Sequence, residues 1–305
     1  GVQTCALPIS TNDQGDSLTS DPSSAVTPFT VPGAPTGATA SAGNGQANVS
    51  WTAPAFDGGS AIAGYTVTST PGSKTCTTTG ATSCTVTGLT NGTSYTFTVT
   101  ATNAAGAGSA SGASSAVTPK TVPGAPNDAT ASAGNGTASV SWTAPASTGG
   151  AAITGYTVSD GNGHGCTTTG ATSCTVTGLS NGTSYTFTVI ATNSAGDGAP
   201  SADSSAVTPF TTPDAPTGVS VTAGDEQASV SWSAPGFDGG STITAYTVTA
   251  STGQTCQTAI GVSLDFYSCT VEGLENLKWL TFTVTATNNA GDSDASAAKI
   301  GRAHV

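Results

Sequence analysis

The side chains able to do covalent or acid–base chemistry are few and far apart. The chain has 305 residues, with seven cysteines, two histidines and no methionine. His164 stands in the segment GNGHGC. Nucleophilic hydrolysis needs a hydroxyl or thiol, an imidazole and a carboxylate held together. No G-x-S-x-G segment accompanies His164, which therefore reads as a solvated turn residue. There is no P-loop, no H-E-x-x-H and no strand-coupled G-x-G-x-x-G. Asp57 and Asp238 lie in two FDGGS segments. Calcium takes about six to eight oxygens, so one Asp per segment is too few. Turn stabilisation by Asp and Gly is the better reading. Asp197, Asp203, Asp292 and Asp294 give two other loops a mildly acidic character that reads as solvation. These residues imply no catalytic group, no cofactor and no metal.

The cysteines carry more information. With Cys5 set aside, for reasons given below, six remain in three local pairs. Cys76 and Cys84 have the spacing C-x7-C, and Cys166 and Cys174 repeat it. Cys256 and Cys269 are C-x12-C. The repetition favours one local disulfide per repeat over other pairings. Zinc is the alternative, but a cysteine pair without histidine or a second pair makes a poor zinc site. A bridge closing about nine residues stabilises by roughly 2–3 kcal/mol in the chain-entropy account. Disulfides persist in oxidising compartments, so the expected location is extracellular, secreted or cell-surface.

Composition narrows the partners. Only 7% of residues are charged, with 17 acidic against 5 basic and a net charge of −12. Binding to nucleic acid or anionic membrane needs clustered Lys and Arg, which are absent. No apolar run reaches the length of a membrane-crossing helix. So few charges with so much Gly, Ser and Thr would suggest disorder, were the apolar residues not regularly placed.

They are placed by a repeat of about 90 residues. Trp51, Trp142 and Trp232 sit in WTAP, WTAP and WSAP, and Tyr65, Tyr156 and Tyr246 follow at matching offsets. TFTVTATN at 96–103 returns as TFTVIATN at 186–193 and TFTVTATN at 281–288. Within a unit, Tyr95, Phe97, Val99 and Ala101 alternate with threonines, the mark of a strand with one buried and one wet face. Asn44-Gly45 and Asn135-Gly136 suit type I′ hairpin turns between strands. About seven short strands per unit, separated by Gly- and Pro-rich turns, imply a two-sheet sandwich.

The segment PGAPTGATASAGNGQANVSWTAPAFDGGSAIAGYTVTST, followed by GLTNGTSYTFTVTATNAAG, resembles a bacterial fibronectin type III domain. The resemblance implies all-β, seven-stranded immunoglobulin-like sandwiches strung in tandem. It implies core tryptophans at Trp51, Trp142 and Trp232. It implies tyrosines at the start of the sixth strand, Tyr95 and Tyr185, that bond back to the preceding turn. It places the two cysteines of a pair on different sheets. In the third unit Leu280 takes the tyrosine position and loses that hydroxyl bond, a loss of about 1 kcal/mol. Trp279 replaces Ser94 and should face outward, where it is a candidate surface contact, although such a residue more often covers a neighbouring loop.

The ends differ from the repeats. Residues 1–9, GVQTCALPI, and 300–305, IGRAHV, resemble translated sequencing adapter, which would make Cys5, Arg302 and His304 non-native. Residues 11–30 align without a gap to 102–121, so 10–30 read as the tail of a truncated preceding module. The domains expected are 31–120, 121–210 and 211–299. The third lacks its native last strand, because SSAVTP does not recur. Strand 281–288 is then expected to show an unpaired edge and to make this module the least stable; alternatively, the segment from Ile300 onward docks there.

Functionally, the bland loops and the linkers VTPKTVPGAP and VTPFTTPDAP suit a semi-rigid spacer. The first reading is a non-catalytic extracellular spacer, stalk or adhesion-type array from a larger protein, with a protein or polysaccharide partner and a monomeric state. The alternative is the accessory region of a secreted polysaccharide-degrading enzyme. A third reading, direct carbohydrate binding, would depend on Trp279.

Overall fold

The computed structural model describes residues 9–18, 21, 24, 26–259 and 267–303, so Cys5 and His304 lie outside the described residues. All regular structure among them is β. The chain divides into two compact units. One is Gly1–Val122 with Ser147–Ala152 and Ser194–Gly196; the other is Pro123–Ala146 with Ile153–Asn193 and Asp197–Val305.

The N-terminal hairpin pairs β1 (Thr11–Asn12) with β2 (Gly15–Asp16). The first module follows with β3 (Thr36–Ala42), β4 (Gln46–Thr52), β5 (Gly64–Thr70), β6 (Thr75–Thr78), β7 (Ser83–Thr87), β8 (Thr96–Asn103) and β9 (Gly106–Ala110). One sheet has the order β3-β4-β7 and the other β6-β5-β8-β9. The second module repeats this with β10 (Asn127–Gly134), β11 (Thr137–Thr143), β12 (Ile153–Ser159), β13 (Gly165–Thr168), β14 (Ser173–Thr177), β15 (Thr188–Asn193) and β16 (Gly196–Pro200). The third has β17 (Thr217–Gly224), β18 (Gln227–Ser233), β19 (Ala245–Ala250), β20 (Thr255–Ala259), β21 (Tyr267–Glu272), β22 (Trp279–Asn288), β23 (Gly291–Asp292) and β24 (Lys299–Arg302).

Period two in the sequence becomes inside and outside in the fold. Ala47, Val49 and Trp51 on β4 face inward, and so do Phe97, Val99 and Ala101 on β8, while Asn48 and Ser50 on β4 and the threonines of β8 face outward. Each module closes its own core, and no core residue is shared between modules. Trp51 stands edge-on to Tyr65 with ring centroids 5.3 Å apart, a favoured aromatic geometry. Trp142 meets Tyr156 and Trp232 meets Tyr246 at nearly the same distance.

Two local expectations need correction. Gly45 and Gly136 adopt positive φ, but Asn44 and Asn135 do not. The turns are therefore not type I′, which needs positive φ at both central residues. In the third module Glu226 takes that left-handed position at φ 52°. The open edge expected on strand 281–288 is also closed. β24 pairs with β22 from Phe282↔Lys299 to Trp279↔Arg302, and β23 pairs with Thr287 and Asn288. Between them, Val284 N–H donates to Ser296 Oγ and Ala286 N–H to Ser293 Oγ. The pairing works because the third module refits that corner. Gly301 lies opposite Leu280, where Val117 lies opposite Tyr95 in the first module. A Cβ on Gly301 would come within 2.5 Å of Val221 Cγ1. Val221 in turn replaces the smaller Ala40 of the first module, so the two exchanges compensate.

Candidate functional site

Each module carries one disulfide. Cys76–Cys84 joins β6 to β7, Cys166–Cys174 joins β13 to β14, and Cys256–Cys269 joins β20 to β21. In every case the two strands belong to different sheets. The Cα atoms lie 6.1–6.3 Å apart, within the usual range. The bridges thus clamp one side of each sandwich.

The tyrosine corners are formed in the first two modules. Tyr95 Oη accepts the Thr90 N–H at 3.0 Å, and Tyr185 Oη accepts the Ser180 N–H at the same distance. The Thr90 backbone bond holds the Tyr95 hydroxyl below the usual phenol pKa. Leu280 is buried at the third corner with only apolar packing. Elsewhere in that module, beside Trp232, Tyr246 and Tyr267 lie 4.7 Å apart. Burial, with Tyr267 adding a smaller effect, pushes the Tyr246 hydroxyl up to about 12.

The loop side chains singled out in the sequence are engaged with their own loops. Asp57 Oδ1 accepts Gly59 N–H at 2.8 Å, and Asp238 Oδ1 accepts Gly240 N–H at 2.9 Å. Asn91 ties two turns together, accepting Gly45 N–H and donating to Asn44 Oδ1. Asn181 and Asn276 repeat the staple on Gly136 and Asn135, and on Glu226 and Asp225. Asn103 Nδ2 donates to Thr30 O and Asp57 O, and Asn288 Nδ2 to Thr211 O and Asp238 O, which pins each module's entry segment to its own loop. Sequence reasoning missed these asparagines as well as the serine pairs of the last strand. For the asparagines, recurrence at fixed offsets in all three repeats was the available signal; the serines keep theirs only in the first two.

His164 is not a free turn residue. Its Nδ1 lies 2.7 Å from Asp160 Oδ2, and its ring stands edge-on to Tyr185 at 5.6 Å. Asp160, whose side chain is 2% exposed, also accepts the backbone N–H groups of Asn162 and His164. Burial alone would raise the Asp160 pKa; the bonds from His164 and the Asn162 amide outweigh it and hold the carboxyl below its ordinary value. The pair closes the hairpin between β12 and β13, and the nearby Ser159 Oγ accepts Gly161 N–H. Among the described residues, no hydroxyl or thiol hydrogen-bonds to the imidazole. Among the described residues, no cluster of three or more His, Cys, Asp or Glu side chains is placed to hold a metal.

Trp279 is 68% exposed and lies opposite Arg302 across the β22–β24 pair. The guanidinium sits 5.1 Å from the ring centroid and covers one face of the indole. Leu277 and Ile300 are also exposed. A shallow groove on the second module is lined by Thr154, Thr157, Thr167, Thr168 and Thr192 and carries no carboxylate, imidazole or thiol. No helix among the described residues is long and apolar enough to cross a membrane.

Repeated two-sheet sandwiches, each with its own core tryptophan and inter-sheet disulfide, define a tandem immunoglobulin-like β protein. The fibronectin type III domain model matches residues 33–117, 124–207 and 214–301, and the chain belongs to that family. It is similar to Exoglucanase B of Cellulomonas fimi, 33% identical over 292 residues, which covers 89% of this chain and 25% of that protein. Chitinase A1 of Niallia circulans is 44% identical over 115 residues, covering 35% of this chain and 16% of that protein. Among solved structures, the chicken CNTN1 FN1-FN3 domains align over 90% of this chain and 99% of that one, with a TM-score of 0.35 and 21% identity. The chain thus spans a quarter or less of the length of these two curated relatives.

Proposed function

We propose that this chain is a non-catalytic extracellular spacer or adhesion-type interaction array within a longer secreted or cell-surface protein. The observation that carries it is how the loop polar groups are used. Asp57, Asp238, Asn91, Asn103 and Asp160 hold their own turns and entry segments. Pro-rich linkers and one disulfide per module add stiffness and suit an oxidising exterior. The chain works as a monomer, and its partner is a protein or a polysaccharide.

A second reading is favoured by the relatives. Exoglucanase B and Chitinase A1 carry names of polysaccharide-cleaving enzymes. On that reading these modules are the accessory region of a secreted enzyme whose catalytic domain lies elsewhere in the protein. Sequencing the DNA on both sides of the coding segment separates the two. Further modules leading to a cell-wall anchor support the array; a neighbouring catalytic domain moves the chain to the accessory role. Release of soluble sugar from cellulose or chitin by the purified chain alone would sink both.

A further inference from the structure

The segment Phe-Asp-Gly-Gly-Ser occurs twice, at 56–60 and 237–241. The two loops hold themselves in the same way. Thr30 N–H donates to Gly58 O and Thr211 N–H to Gly239 O, both at 2.8 Å. Gly33 N–H donates to Phe56 O and Asp214 N–H to Phe237 O. Their surroundings differ. The loop at 237–241 is covered by the Asn181-Gly182 turn of the second module. A Cβ on Gly240 would lie 2.3 Å from Gly182 N and 2.9 Å from Asn181 C, and Phe237 also reaches Gly182. The same joint recurs within the other compact unit, where a Cβ on Gly150 would lie 2.3 Å from Gly92 N and 2.6 Å from Asn91 C. At Gly59 the nearest atoms among the described residues are Pro28 O at 3.5 Å and Phe29 Cβ at 3.8 Å, and no turn of the described residues covers it. Phe56 is 56% exposed, against 38% for Phe237, and Phe29 and Val31 are exposed beside it.

We propose that the Phe56–Ser60 loop, with Phe29 and Val31, is the docking face for the Asn-Gly-Thr turn of a preceding module of the same kind. The loop side needs glycine, because a Cβ on Gly150 or Gly240 would overlap the turn backbone; on the turn side a Cβ on Gly92 or Gly182 would press on the facing glycine Cα at 3.1 or 3.3 Å, so anything larger is excluded. Two further observations name the occupant. First, β1 and β2 pair Thr11↔Asp16 and Asn12↔Gly15, which is the register of Thr102↔Ala107 and Asn103↔Gly106 in the first module. Gln14 N–H bonds to Asn12 Oδ1 as Ala105 N–H does to Asn103 Oδ1. Residues 26–30 read VTPFT, as do 207–211 ahead of the covered loop. Second, a second copy of this chain has no free turn to offer. Its Gly92 and Gly182 turns are engaged, and its third module carries Leu277 there, at φ 65° and exposed. A leucine side chain would fill the space the glycine loop must enter. The proposal holds whether the parent protein is an array or an enzyme.

Amide hydrogen exchange tests it with an internal control, because identical pentapeptides have matched intrinsic rates. In the present chain, residues 56–60 should exchange about tenfold faster than 237–241. In a lengthened chain, residues 1–29 are replaced by a copy of 121–210, so that the copied Phe210 precedes Thr30. Exchange at 56–60 should then slow to the rate of 237–241. Gly182→Leu should open the existing joint and bring 237–241 to the rate of 56–60; Leu277 shows that the turn accepts leucine. If 56–60 exchanges equally fast with and without the added module, the proposal is overturned. It is also overturned if exchange at 56–60 in the present chain slows with rising protein concentration, since a second copy would then be the occupant.

Discussion

Asp160 shows how one residue can give a module a property its neighbours lack. The corresponding residues are Ser69 and Ala250, which bring no charge to their hairpins. Asp160 is nearly out of water and takes three bonds, two from backbone amides and one from His164. Its pKa in the fold lies below the ordinary 3.8, so folding favours the ionised form. The stabilisation is fully present above the unfolded pKa of about 4 and is lost as pH falls through the lower folded value. Asp160→Asn keeps the shape but removes the charge and an acceptor, and should cost the second module about 1–2 kcal/mol at pH 7. Acid unfolding followed by NMR, module by module, would show it. The wild-type second module should lose stability below about pH 4 in a limb that the variant lacks. An unchanged acid limb in Asp160→Asn would remove Asp160 from this role.

The last strand shows what an element can be made of when it is hardly a strand. Beyond β9 the chain pairs with β8 through serines. Ser111 N–H donates to Val99 O while its Oγ accepts Val99 N–H, and Ser114 does the same with Phe97. Ser201 and Ser204 repeat this on Val189 and Phe187. In the third module Ser293 and Ser296 engage Ala286 and Val284 instead, one inward-facing position further along the strand. That shift leaves Phe282 and Leu280 for β24. Ser114→Ala would leave the buried Phe97 N–H without a partner and should destabilise the first module by about 1–3 kcal/mol. The exposed Ser115→Ala should stay within about 0.5 kcal/mol of wild type. Equal thermal shifts for the two variants would refute the ladder. This element also marks where the sequence stopped being readable. Phe97, Val99 and Ala101 were legible because burial imprints a period of two on apolar residues. Ser111 and Ser114 were not, because a serine that replaces a backbone group has the composition of a loop. The His164–Asp160 contact was hidden for another reason: four residues apart across a hairpin turn, neither has a periodicity to betray it. Leu280 and Gly301 show the limit from the packing side. A missing hydroxyl and a missing valine read as losses along the chain, and only the neighbouring Val221 shows the corner refitted.

At the scale of the whole molecule the question is whether the modules stand alone. Their three cores share no residue, so the hydrophobic contribution of each is complete within about 90 residues, an ordinary domain size. Each disulfide closes within its own module, so covalent cross-linking adds no coupling. The chain offers a simple probe, because it has only five basic residues. Lys74 sits in a hairpin turn closed by the Ser69 N–H bond to Lys74 O, and Lys299 and Arg302 belong to the paired β24. Lys278 lies in the turn held by Asn276. Lys120 alone lies in a Pro-rich linker outside strands and hairpin turns, held among the described residues only by its N–H on Gly43 O and its Nζ on Ser194 Oγ, where Phe29 and Phe210 take the matching places in the other two. A protease needs extended backbone, and tight turns must open before they fit. Limited trypsin digestion should therefore cut first at Lys120. The piece ending there should melt within about 4 °C of its module in the intact chain, with Trp51 still shielded from a fluorescence quencher. A first module that unfolds on release would mean that its stability is borrowed from the next one. The chain would then be a single cooperative body, and a longer array could not gain or lose modules one at a time.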